Sequence, residues 1–210
     1  MSKIFVTGIS TDVGKTIFSA VIVEALKADY WKPIQAGDLE NSDSHKIKKL
    51  VSNSESKFHP NSYALQTPMS PHAAAEIDGR KINLEEIIEP KTNNHLVIEG
   101  AGGLLVPLND ENTILDLIKP DYKVVVVSRH YLGSINHTLL TLDKLKQKKL
   151  NTAIVWSGNE NKSTEEIISK MSGVMVLGRI SDEPYFDQNV IKEYAEQFKE
   201  DDVFNDFILS

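Results

Sequence analysis

The stretch that most narrows what this chain can fold into is GISTDVGKT, residues 8–16, which follows the apolar run Ile4-Phe5-Val6. A strand that ends in a glycine-bounded turn and opens into a helix presents backbone N–H groups and a helix N-terminus to an anion. The common phosphate-loop pattern places four residues between its glycines, before Lys and Ser or Thr. Here five separate Gly8 from Gly14, and Lys15 and Thr16 follow. With a strand predicted over residues 3–7 and an amphipathic helix over 15–28, the motif stands in the context it requires. It predicts a nucleotide phosphate site in which Lys15 faces the β- and γ-phosphates and the Thr16 hydroxyl is available to Mg2+.

The rest of the chain alternates in the same way. Short apolar runs at residues 3–7, 30–34, 95–99, 123–128, 152–156 and 174–177 predict strands, several buried on both faces. Helical patterns at 15–28, 42–51, 84–88, 134–150, 163–171 and 190–198 lie between and after them. That order predicts an α/β protein with a mostly parallel, doubly wound sheet covered by helices on both faces, of the phosphate-loop NTPase type. No Ser/Gly/Pro-rich linker divides the 210 residues, so the expectation is a single domain over 1–210. The segments 52–71 and 182–189, rich in Asn, Ser and Pro, lack periodicity and are predicted as loops bordering the ligand crevice.

Composition removes several classes of function. There is no cysteine, which excludes a disulfide framework, Cys-ligated zinc, an iron–sulfur cluster and a thiol nucleophile. The six histidines show no pair at metal-ligand spacing on one helix face. A net charge of -7 argues against nucleic acid or an anionic membrane as partner, and no apolar stretch reaches membrane-spanning length. The expected location is cytoplasmic. The one basic cluster, Lys144, Lys146, Lys148 and Lys149, falls where a helical pattern ends and is predicted to face that helix's C-terminus.

A metal on a phosphate chain needs hard oxygen ligands at the same sheet edge. HLVIEGAGG, residues 95–103, supplies Glu99 at the end of a buried strand, and Asn41-Ser42-Asp43 supplies a carboxylate where a helix begins. In WKPIQAG, residues 31–37, Lys32 precedes a proline and is held in extended backbone at a strand end.

These segments, with Ser70-Pro71-His72, LGSINH at 132–137 and Asn159 of WSGN, resemble the ATP-dependent dethiobiotin synthetases from Gly8 to Asn159, in that family's order. The resemblance implies a homodimer that uses ATP and Mg2+ to close a cyclic urea on 7,8-diaminononanoate with CO2 or bicarbonate. A carbamate on one amine attacks the γ-phosphorus, and the second amine closes the ring and expels phosphate. It further implies Lys15, Lys32 and Thr11 as catalytic residues, and Thr16, Asp43 and Glu99 around Mg2+. ATP would be held by Asp12, Val13, Gly14, Lys15, Thr16, Ile17, Asp43, Asn159 and Ser181. The diamino acid would meet Lys32 and Ala36, with Gly133, Ser134 and Asn136 coming from the neighbouring subunit.

Two positions depart from the family pattern: Ala36 stands where a hydroxyl is common, and Gly178-Arg179-Ile180-Ser181 lacks the usual proline. One alternative is a nucleotide-switch ATPase of the partitioning or positioning type, which usually carries a further lysine where Ile9 and Ser10 stand here. An amidotransferase domain of the cobyrinate type would need a cysteine nucleophile the chain lacks. From the sequence, K32A is expected to leave thermal unfolding nearly unchanged and to lower kcat by at least ~100-fold, about 2.7 kcal/mol. Steady-state kinetics and a melting curve check both halves.

Overall fold

The computed structural model describes residues 1–209. Nine strands and seven α-helices are present among them. In chain order these are β1 (Lys3–Gly8), α1 (Lys15–Leu26), β2 (Asp29–Trp31), β3 (Ile34–Ala36) and α2 (Asp43–Leu50). Next come β4 (Phe58–His59), β5 (Tyr63–Leu65), α3 (Pro71–Ile77), β6 (Leu96–Gly103), β7 (Lys123–Arg129) and α4 (Ser134–Gln147). The chain continues through β8 (Asn151–Ser157), α5 (Lys162–Ser172), β9 (Met175–Ile180), α6 (Gln188–Glu200) and α7 (Asp202–Leu209).

Seven strands form one sheet in the order β4-β2-β6-β1-β7-β8-β9, and every pairing is parallel. A parallel sheet needs cover on both faces, and the sequence provides for it: Val124 to Val127 of β7 are continuously apolar and essentially unexposed. The crossover through α1 runs from β1 toward β2, whereas that through α4 runs from β7 toward β8 in the opposite direction. Right-handed crossovers in opposite directions put their helices on opposite faces. Helix α1 packs with α2 and α6, and α4 packs with α5. The winding reverses around β1, so the loop after β1 sits at the switch point where α/β sheets bind ligands.

Several sequence expectations need correction. The strand expected over 30–34 is two strands, β2 and β3, because Pro33 removes a ladder donor and the chain leaves the main sheet after Trp31 to pair β3 with β5. The segment 52–71, expected to be loop, contains β4 and β5 and leads into α3, which starts at Pro71 with Pro at its first position. These strands are two and three residues long, too short for an alternation to show. The helix expected over 84–88 is only a 3-10 turn at Leu84–Glu86, and the strand expected to end at Glu99 runs on through Gly103, because Gly103 still pairs with Gly8 of β1, so Glu99 lies inside β6.

Helix α7 was not anticipated either. It is built around Phe204, which is fully buried and meets Phe198 of α6 edge-on at 5.5 Å between ring centres, while Phe198 meets Phe18 of α1 at 5.7 Å. The C-terminal helix is thereby tied through α6 to the helix that carries the phosphate loop. Phe204→Ala should therefore cost about 3–5 kcal/mol, read as a shift in the urea unfolding midpoint.

Candidate active site

The loop between β1 and α1 is shaped by two glycines. A Cβ at Gly8 would lie 2.5 Å from Cγ2 of Val13 and 2.9 Å from the Ser10 carbonyl, so the chain can fold back on itself only without one. Gly14 has φ 96° and caps α1 with no side-chain hydrogen bond, which leaves the first N–H groups of the helix to an external acceptor. Asp12 also adopts a left-handed backbone, φ 56°, and takes up the fifth spacer residue. Lys15 Nζ donates to the Ser10 carbonyl at 2.9 Å and so lies over the loop. Burial lowers the Lys15 ammonium below its ordinary pKa, against the pull of Glu99.

Strand register assembles the other half of the site. Trp31 of β2 pairs with Ile98 of β6, so the next residues along, Lys32 just beyond β2 and Glu99 within β6, stand side by side. Lys32 Nζ donates to Glu99 Oε1 at 3.1 Å and also to Asp43 Oδ2 from the start of α2. Thr16 Oγ1 donates to the same Glu99 Oε1 at 3.0 Å, and the Tyr30 hydroxyl donates to Glu99 Oε2 at 3.1 Å. Glu99 is fully buried and Lys32 is 5% exposed. Burial pushes the Lys32 ammonium down, but Glu99 and Asp43 outweigh it and hold the pKa above its ordinary value. Burial raises the Asp43 carboxyl, but Lys32 with Lys46 and Lys15 together outweigh it and hold the pKa below its ordinary value. Burial, reinforced by Glu99, raises the Tyr30 phenol well above its ordinary range, so this hydroxyl stays protonated and donates.

Two carboxylates and a hydroxyl therefore converge beside the phosphate loop, linked through Glu99 and through the ammonium of Lys32, which serves as their counter-cation. Among the described residues no group of three or more His, Cys, Asp or Glu could hold a metal unaided. The set fits Mg2+, which takes one or two carboxylates and completes its octahedron with phosphate oxygens and water.

Other expected site residues fall into separate regions. Asp12, Gly14 and Ile17 line a cleft with Ser157, Ser181 and Phe186, on the far side of the loop from Glu99. Val13 is buried beneath the loop. Thr11 is exposed, with its hydroxyl 3.6 Å from where a Cβ on Gly102 would stand. Asn159 is exposed in the turn after β8 and does not line that cleft. Ala36 ends β3 and is half-buried. Gly133, φ 100°, caps α4; Ser134 is buried and Asn136 exposed, and neither bonds to the Lys32 cluster.

The residue missed by sequence reasoning is Tyr30. Its signal was present, since it stands two residues before Lys32 and so shares its strand face. The ion pair of Arg129 with Asp182, 2.8 Å across the mouth of the Gly14 cleft, had no local signal, because its halves lie 53 residues apart.

A glycine-bounded loop between the central strand and first helix of a parallel sheet, with a lysine, a hydroxyl and a buried glutamate of the adjacent strand beside it, defines a nucleotide-binding protein of the phosphate-loop class. Residues 2–190 match the AAA domain family model, and the chain is 62% identical to the ATP-dependent dethiobiotin synthetase of Christiangramia forsetii over 93% of its length and 95% of the relative's. The chain belongs to the ATP-dependent dethiobiotin synthetase family. The enzymes of that name from Cytophaga hutchinsonii and Chlamydia pneumoniae are 50% and 40% identical, over 93% and 95% of this chain and 96% and 90% of theirs. Among solved structures, the MinC:MinD cell division complex of Aquifex aeolicus has a chain similar in fold, with TM-score 0.59 and 15% identity, covering 96% of this chain and 97% of that one. A plasmid partition protein from Borrelia burgdorferi bound to AMPPNP is similar at TM-score 0.58 and 11% identity, over 99% and 98% of the two chains.

The buried Lys32 corrects the expectation that its loss would leave stability untouched. Removing the ammonium takes from buried Glu99 its directly bonded cation, leaving Thr16, Tyr30 and the more distant Lys15, and breaking such a pair costs roughly 3–5 kcal/mol. Asp43 keeps some contact with solvent, which places K32M near the lower end, about 3 kcal/mol. A melting curve or urea titration of the nucleotide-free protein checks it; a loss under about 0.5 kcal/mol would contradict the pairing.

Proposed function

We propose that this chain is an ATP-dependent dethiobiotin synthetase, which adds CO2 to 7,8-diaminononanoate and closes the cyclic urea, giving dethiobiotin, ADP and phosphate. The observation that carries the reading is the placement of Lys32 between Asp43 and Glu99, beside the Lys15 loop. The chemistry brings a carbamate anion up to a polyanionic triphosphate, and positive charge must offset their repulsion. One unit charge at ~4 Å is worth about 4 kcal/mol at an effective dielectric near 20. Lys15 and Lys32 bring two such charges to one pocket, and the approach they allow is the main barrier the protein must lower. Carbamate oxygen then bonds to the γ-phosphorus as ADP leaves, and the second amine attacks the carbamoyl carbon as phosphate leaves. No covalent bond to the protein is needed, which suits a chain with no cysteine.

Thr16, Asp43 and Glu99 would hold Mg2+. When bound there, Mg2+ supplies charge shared between the β- and γ-phosphates. The loop residues Thr11, Asp12, Val13 and Gly14 would surround the phosphate chain, which then extends past Ile17 toward the cleft bearing Ser181, with Asn159 near the base. The diamino acid would lie by Lys32 and Ala36.

Helix α4 supports a shared site. Leu132 is fully exposed, Leu140 and Leu105 are mostly exposed, and Tyr131 and Ile135 are more than a third exposed. Apolar side chains so placed favour a second copy of the chain, whose Gly133, Ser134 and Asn136 would hold the substrate carboxylate at a helix N-terminus. The protein would act in the cytoplasm as a homodimer of one-domain subunits. A nucleotide-switch function is not favoured, since the relatives at 40–62% identity carry the synthetase name and the partition-type likeness is one of fold.

ADP release should rise at least ~10-fold when diaminononanoate and bicarbonate are added together. A rate indifferent to them, and raised instead by a protein or DNA partner, would overturn the assignment. Leu132→Asp should shift sedimentation toward monomer and weaken diamine binding by ~10-fold or more, about 1.4 kcal/mol, with ATP-analogue affinity within about twofold of the original. Undiminished diamine affinity in the monomer would refute the shared site.

A further inference from the structure

We propose that Tyr30 is a positioning residue that orients Glu99 for the metal. The inference rests on Glu99 being a metal ligand, as argued above. A buried carboxylate can turn about its last bond, and only one orientation aims a free lone pair at the phosphate loop. Glu99 is fully buried, and its two oxygens are treated differently by their surroundings. Oε1 receives Thr16 and Lys32, the groups on the loop side, while Oε2 receives only the Tyr30 hydroxyl.

The sheet explains why a tyrosine can do this. Tyr30 pairs with Val97, so Glu99 stands two residues further along the neighbouring strand, on the same face, within reach of a long aromatic side chain. The ring is fully enclosed and meets Phe58 of β4 at 5.9 Å between ring centres, so the hydroxyl cannot swing away. Both ends of the hydrogen bond are thus anchored on adjacent strands of one sheet. When a divalent ion takes over from Lys32 as the counter-cation at Oε1, the Tyr30 bond holds Oε2 where it was. The carboxylate then meets the metal through one prepared oxygen, with no reorientation at the moment of binding.

The test is Mn2+ affinity, measured by electron paramagnetic resonance on the full chain with a non-hydrolysable ATP analogue bound. Tyr30→Phe keeps the ring and deletes the donor. It should weaken Mn2+ by ~10-fold or more and leave metal-free analogue binding within about twofold. In a Glu99→Gln background the same change should add nothing, because Tyr30 acts through the carboxylate. Replacing Tyr30 with 4-aminophenylalanine, which returns a donor at the para position, should restore most of the affinity. Mn2+ affinity within twofold of the original in Y30F overturns the proposal, as does a Y30F effect that persists in full beside E99Q. If Y30F does not fold, the 4-aminophenylalanine variant carries the test, and a loss as large as that of E99Q overturns it. An E99Q variant that binds Mn2+ normally would instead remove the ligand reading itself.

Discussion

Lys32 is a buried cation between two carboxylates, and the arrangement of the site depends on that one interaction. An ammonium is withdrawn from water only where opposite charge compensates it. The compensation comes from two separate elements, the middle of β6 and the start of α2, and the hydroxyl of Thr16 on α1 joins through Glu99. Three elements of the fold are therefore held together by charge at the point where β1 delivers the phosphate loop. Under the proposed function, the same charges that stabilise the nucleotide-free protein are those the chemistry would use.

The phosphate loop and the Lys32 cluster are complementary halves. The loop offers backbone donors, a helix N-terminus and Lys15, all suited to the anionic chain of a triphosphate. The cluster offers hard oxygens suited to a cation and one buried ammonium. The fold around both halves is shared with cell-division and partition proteins at 11–15% identity. In this chain a lysine follows β2 directly and reaches Glu99 of the neighbouring β6, while Ile9 and Ser10 open the loop.

Much of this was legible from residues 1–210 alone. The parallel sheet and the loop at Gly8 to Thr16 follow from patterns at short range, apolar runs and glycine spacing, whereas the grouping of Lys15, Thr16, Lys32, Asp43 and Glu99 came from the resemblance to the synthetase family. Elements without such a pattern were missed. β4 and β5 are too short to show alternation, and α7 has its single fully buried aromatic, Phe204, covered by a helix that precedes it in the chain. The true end of β2 was obscured because Pro33 permits extended backbone on both sides while breaking the ladder between them.

The sequence by itself determined which chemical groups exist and the local geometry of each. Gly8 has to be glycine because its own neighbours, Val13 and Ser10, would clash with a Cβ. Lys15 and Thr16 must open a helix because a glycine turn precedes them. Tertiary structure decided which of these groups share charge. Lys32 and Glu99 are 67 residues apart, and only the pairing of Trp31 with Ile98 brings them to contact. It also decided that Tyr30, unremarkable as one aromatic among several, would complete the partners of Glu99. A long-range ion pair depends on register and burial, and both are properties of the assembled sheet, for which the chain carries no local code.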